Sequence, residues 1–161
     1  MGFVVEDGTG VSGANSYCSV ADANSYFSDR GISEWVGTDD VKSHALVRAT
    51  DFIDTTFGTR FLGEKISASQ SLEFPRTLFT GIPKELLKAC AEYALRALNA
   101  KLIPDPPQEG AFAVKLERVI VGPIEEMKTY DTNVPGRIER YPAADFLIYK
   151  LLKSQASVVR A

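Results

Sequence analysis

Glycines 8, 10 and 13 in the stretch Val4-Val5-Glu6-Asp7-Gly8-Thr9-Gly10-Val11-Ser12-Gly13 stand at the G-x-G-x-x-G spacing behind two β-branched residues. In a dinucleotide-binding loop that spacing lets backbone N–H groups and the start of a helix meet a pyrophosphate. The surroundings here do not suit it. The first helix start comes at Ser19, whose hydroxyl can cap while Asp22 answers three residues on, a turn or more beyond the last glycine. Glu6 and Asp7 place two carboxylates beside the supposed anion site, and the segment after Gly31 reads as loop and then helix, not as a βαβ crossover. The glycines are therefore assigned to a glycine-rich N-terminal arm that turns or lies along a neighbour, and no cofactor is expected.

The other residues able to do chemistry are few. His44 is the single histidine and has no visible partners for a metal or a triad, so it is assigned to packing or the surface. Asp51 and Asp54 lie three apart, as acid pairs in metal sites do, but no third ligand follows at helical spacing. They are read as a solvated face beside Arg48. Cys18 and Cys90 have unrelated contexts and no C-x-x-C, and are expected as reduced, partly buried thiols of a cytosolic product. With no nucleophile elbow, Walker loop, H-E-x-x-H or zinc spacing, neither an enzyme nor a metal site is expected.

The elements that would carry these residues are mostly helical. A short helix is expected from Val20 to about Arg30, closed by Gly31; a loop with Trp35 plugging a gap between helices follows. A second helix starts near Thr38, with Asp39 and Asp40 in its first turn, and runs to Phe57 with Val41, Ala45, Ala49, Phe52, Ile53 and Phe57 as its apolar stripe. Between 59 and 80 the pattern is that of an ordered loop, in which Pro75 biases Phe74 to extended backbone, Leu72 and Phe74 tuck inward, and Arg76 points to a neighbouring carboxylate or subunit. A third helix opens at Pro83 and is apolar on most sides, leaving Lys84, Lys88, Glu92 and Arg96 as a polar strip. Pro104 to Gly110 reads as a stiff linker; Val114–Val121 and Ile124–Tyr130 flank Gly122-Pro123 as β-rich runs, a hairpin or two paired edge strands. A last helix opens at Pro142 and carries Phe146, Leu147, Ile148, Leu151 and Leu152.

The resulting expectation is one α+β domain, mainly α: a small bundle of about four helices with a β-hairpin or extended β element and an extended N-terminal arm. Its parts are the arm 1–18, a helical core 19–101, the linker and β element 102–141, the helix 142–154 and the tail 155–161. At 161 residues and 45% apolar content the chain suits one soluble domain, with no membrane-spanning or secretory pattern. The formal charge of −3 provides no global basic field, which argues against a dedicated nucleic-acid binder and does not exclude a protein that DNA must slide past.

The blocks VEDGTGVSGANSYCSVADANSYFSDRG, KSHALVRATDFID, SLEFPRT, IPKELLKACAEYALRAL, VGPIEE and YPAADFLIYKLL occur in that order along nearly the whole chain. Together they resemble a family of tailed-bacteriophage head–tail connector (adaptor) proteins of the phage neck, often labelled "putative DnaT-like ssDNA-binding protein". Phe74 stands where relatives tend to carry Trp before Pro-Arg-Thr. The resemblance implies a structural virion protein, made in the host cytoplasm and located in the neck, that assembles on itself as a ring, a dodecamer in this family. Its implied partners are the portal protein and other neck or tail-completion proteins, with double-stranded DNA passing through the channel without specific binding.

Within that reading Gly8, Gly10, Arg76 and Arg96 are candidate subunit contacts. Leu151, Leu152, Val158, Val159 and Arg160 are candidates for docking on the portal. The alternative is a single-stranded-DNA-binding replication protein, which needs a basic groove interleaved with aromatic platforms. Tyr17, Tyr26, Phe27, Phe52 and Phe57 suit core packing instead, and Arg137, Arg140 and Tyr141 form the one compact basic-aromatic cluster in the sequence. On this balance the protein is expected not to retain single-stranded DNA at physiological salt.

Overall fold

Capping residues set the first two helices. Ser19 Oγ accepts from the Asp22 N–H at 3.0 Å and opens α1 (Val20–Ser28), and Gly31, at φ +64°, lets the Ile32 N–H return to the Phe27 carbonyl. Thr38 caps α2 (Asp39–Phe57), which continues into a single 3₁₀ turn at Gly58–Arg60. The third helix, α3 (Lys84–Asn99), has extended Pro83 at its N-cap, one position before the first helical residue at which proline was expected. The last, α4 (Pro142–Tyr149), ends about five residues before the expected stop, because the chain after it turns and pairs. Leu152 bridges Phe61, the Leu62 N–H donates to the Leu151 carbonyl, and the Lys153 N–H donates to the Arg60 carbonyl at 2.8 Å.

The computed structural model describes residues 2–103, 112–120, 125–135 and 140–153, the strand residues as backbone. By contacts the chain divides into two units, Met1–Leu102 with Tyr141–Ala161, and Ile103–Arg140. The protein is mainly helical, with four helices in the first unit. In the second, β1 (Phe112–Ile120) and β2 (Glu125–Pro135) run antiparallel, Val114 opposite Tyr130 and Ile120 opposite Glu125, with irregular register near Phe112 and Val114. The linker at 104–110 and the Gly122-Pro123 connection lie outside the described residues.

In the helical unit α3 packs against α2 and α4, and α1 contacts both α2 and α3. Ala45, Leu46, Ala49, Phe52 and Ile53 of α2 meet Leu86, Ala89, Cys90, Tyr93 and Ala97 of α3, all buried, with Ala144 and Ile148 of α4 completing the core. Trp35 is buried against Phe27 with ring centroids 5.1 Å apart, and its indole N–H donates to Asn24 Oδ1 at 2.8 Å. Phe74 fills an apolar pocket among Tyr17, Phe61 and Phe79. Val41, placed on the buried stripe of α2, is instead 47% exposed, because the first turn of that helix projects past its neighbours.

The arm expected to be extended folds back on itself. The Val4 carbonyl accepts from the Asn15 and Ser16 N–H groups, the Glu6 N–H donates to the Ser16 carbonyl, and the Gly13 N–H donates to Ser71 Oγ at 2.7 Å.

Candidate functional site

The glycine loop does hold an anion, and the anion is its own. The Glu6 carboxylate, on a side chain only 3% exposed, accepts from the N–H groups of Gly8, Gly10 and Val11, each at 2.9 Å. A concave run of backbone N–H groups of this kind recognises negative charge. Glu6 fills it from within, which leaves no room for a pyrophosphate. Gly8 and Gly10 have φ of +97° and +83°, and a Cβ on Gly8 would stand 2.8 Å from the Gly81 Cα. Both candidate subunit-contact glycines thus serve backbone conformation, and Gly8 a close approach within the chain as well. Gly8→Ala is expected to cost about 2–4 kcal/mol, strain at positive φ plus overpacking. Gly10→Ala meets ordinary contacts and is expected to cost about 1–2 kcal/mol. Urea titration of the two variants checks that order.

The polar residues around Asp54 form a closed network. Tyr17 Oη donates to Asp54 Oδ1 at 2.5 Å and accepts from the Glu73 and Phe74 N–H groups, while Asp54 Oδ2 accepts from the Glu73 N–H at 3.0 Å. Asp54 is therefore a half-buried clamp on the 72–76 loop and not part of a solvated face; Asp51 is exposed. Arg76 is buried, its Nε and Nη2 donating to the Leu62 and Gly63 carbonyls and Nη1 to Glu73 Oε2 at 2.9 Å. Of the two destinations expected for Arg76, the structure has the carboxylate. Arg96 pairs with Glu92 of its own helix, whose other oxygen accepts from Tyr26 Oη.

Burial pushes the Asp54 carboxyl up to about 6, against the lowering by its Tyr17 and Glu73 hydrogen bonds. A folded pKa above the unfolded value means that the native state binds the extra proton, so this group lowers stability as pH rises from about 4 through 6, and the penalty is complete above 6. Wild type is expected to gain about 2–3 kcal/mol from Asp54 between pH 7 and pH 4 relative to Asp54→Asn. Denaturant midpoints of both proteins at the two pH values check the difference.

The candidate binding face is on α4. Its core face is Ala144, Asp145 and Ile148, continued by Leu151, all buried. Helical geometry turns Phe146 and Tyr149 outward together, at i and i+3; Lys150 at the C-cap and Lys153 past the helix end are exposed as well. Phe146 is 67% and Tyr149 44% exposed, their rings edge to face at 6.1 Å. Arg60, exposed and with its guanidinium over the Phe57 ring at 5.1 Å, is tied to Lys153 by a backbone bond. The one acid between residues 140 and 153, Asp145, is withdrawn from the surface: its carboxylate accepts from Tyr93 Oη at 2.5 Å and from the Tyr141 N–H at 3.2 Å. Burial, then the Asp145 bond, holds the Tyr93 phenol well above its ordinary range, so it stays a donor. The face is aromatic and cationic although the protein as a whole is acidic.

The expected cluster of Arg137, Arg140 and Tyr141 is not assembled as a platform among the described residues. Arg137 lies outside them, Arg140 is exposed, and the Tyr141 ring packs on Phe52 and Tyr93 while its hydroxyl donates to the Leu102 carbonyl at 3.1 Å. Leu151, expected at a portal surface, is 3% exposed in the core, and Leu152 is half-buried against Phe61; Val158, Val159 and Arg160 lie outside the described residues. The signal for the α4 face was present in the spacing of Ala144, Ile148 and Leu151. Reading Phe146 by its type and not by its angular position hid it. Among the described residues there is no group of three or more His, Cys, Asp or Glu able to hold a metal, and no helix is long and apolar enough to cross a membrane.

No curated protein and no solved structure matches this chain. A family model matches residues 1–161, and its description, "Putative DnaT-like ssDNA binding protein", names single-stranded DNA as the ligand. That finding corrects the expectation of a structural neck protein. A virion role, portal and tail-completion partners, a ring and passing double-stranded DNA form no part of the description, and the alternative reading is the one it matches. The expectation drawn from net charge did not anticipate this family, because binding depends on where the charges sit and not on their sum. The chain, along its whole length, belongs to the DnaT-like single-stranded-DNA-binding family.

Proposed function

We propose that this protein binds single-stranded DNA without strong base preference on the outward face of α4, as a binding protein and not an enzyme. The observation that carries the reading is the exposure of Phe146 and Tyr149 on α4, with exposed Lys150 and Lys153 following in the chain, Arg60 tied to Lys153 by a backbone bond, and Asp145 buried. Aromatic rings stack on any base, and cations beside them follow the phosphates, so the combination selects unpaired strands whose bases are free. A duplex keeps its bases stacked and offers the rings nothing.

The test is fluorescence anisotropy of a labelled oligo-dT at rising salt, with duplex of the same length as comparison. Three phosphate contacts predict a slope of about −2 in log K against log salt for a single strand. Equal affinity for duplex, or no saturable binding at low salt, refutes the reading.

A further inference from the structure

A cleft of about 300 Å³ opens between α1 and α3, away in sequence from α4 and not used by the binding face described above. Its α1 side is Asp22, Ser25, Tyr26, Asp29 and Arg30, with Cys18 beneath; its α3 side is Lys84, Leu87, Lys88 and Ala91. The floor is apolar, since Cys18 and Ala91 are buried, and burial raises the Cys18 thiol so that it stays neutral. The rim is charged, with three cations against two carboxylates.

The Tyr26 ring is fixed in place by its hydroxyl, which donates to Glu92 Oε1 at 2.9 Å. The Arg30 guanidinium lies over that ring at 3.6 Å and is held there by donation from Nη1 to the Tyr26 carbonyl at 2.7 Å. Arg30 is exposed, so the outer side of this stack is a flat, pre-ordered cationic plane. Planar guanidinium groups of this kind stack on nucleobases. Lys84 and Lys88, one helical turn apart on the opposite wall, are point charges suited to a phosphate. Asp22 and Asp29 are acceptors suited to the N–H groups of a base, whereas a simple inorganic anion would find them repulsive. The volume is at the lower end for small-molecule pockets, which fits one such unit and excludes a docked helix.

We propose that this cleft binds one nucleotide unit, its base against the Arg30–Tyr26 stack and its phosphate between Lys84 and Lys88. The unit comes either from a free mononucleotide or from a DNA strand. The inference stands independently of the α4 reading, because its residues lie on α1 and α3.

The test follows backbone amide NMR shifts of the full chain on addition of dAMP, deoxyribose 5-phosphate and a short oligo-dA in turn. Saturable shifts confined to residues 18–30 and 84–91 with dAMP support the proposal with a free nucleotide as source. The same shifts with oligo-dA alone support it with the strand as source, and they are separate from shifts on α4. Lys84→Glu with Lys88→Glu is expected to weaken the response at least tenfold, and the fold should survive because acidic residues suit the first turns of a helix. No shift in either segment overturns the proposal, as does an equal response to deoxyribose 5-phosphate, which lacks the base. Concentration-dependent shifts at the cleft without ligand also overturn it, since a second copy of the chain would then occupy the groove.

Discussion

Phe146→Ala and Tyr149→Ala are each expected to weaken binding of an oligo-dT by roughly five- to 150-fold, about 1–3 kcal/mol per lost stack. The double variant should lose most of the affinity that salt does not remove. Stability should hardly change. Phe146 is 67% exposed and touches Tyr149 edge to face, so its removal opens no cavity, and a shift within about 0.5 kcal/mol is expected. Lys150→Glu with Lys153→Glu should instead flatten the salt dependence, because those side chains meet phosphate and not base. Phe146→Trp separates a stacking role from a packing one, since a larger π surface keeps or strengthens binding. If the alanine pair binds oligo-dT as tightly as wild type while remaining folded, α4 is not the interface.

Arg76→Ala is expected to be among the most damaging single changes to the fold, near 3 kcal/mol, or roughly 10 °C in Tm for a chain of this size. The guanidinium joins the Leu62 and Gly63 carbonyls to the Glu73 backbone and carboxylate, and its side chain is 9% exposed. Truncation leaves those carbonyls without their donor while Glu73, 27% exposed, keeps only Lys65 at 3.1 Å as its ion-pair partner. That residual pair puts the effect at the lower end for a broken buried ion pair. Arg76→Lys recovers a charge but not the planar fork that reaches both sides of the loop, and should regain less than half. Arg96→Ala is the control. Its pair with Glu92 lies along one helix and its side chain is 33% exposed, so a loss below about 1 kcal/mol is expected. Equal losses for the two arginines by urea titration would remove Arg76 from the role assigned to it.

Such a contrast could not be read from residue types, since both arginines stand three or four residues from a glutamate. What separates them is burial, and burial is set by the path of the 60–64 segment over the 72–76 loop.

The same division runs through the molecule. The limits of α2, the start and closure of α1, and the inward turn of Phe74 were legible because capping hydroxyls, glycine and helical periodicity act over a few residues. The fate of the glycine loop was not, although all its partners lie within five residues of Glu6: the same spacing serves an external phosphate or an internal carboxylate, and only the folded backbone chooses. Asp54 read as solvated because its partners, Tyr17 and Glu73, are 37 and 19 residues away. For α4 the apolar residues were visible, but which of them faces the core was decided by α3, against which Ala144, Asp145 and Ile148 pack. Local sequence determines that a helix forms; where α4 ends was set by pairing with residues 60–62, and the rotation of that helix on its neighbours is a long-range packing decision that here turned Phe146 and Tyr149 outward.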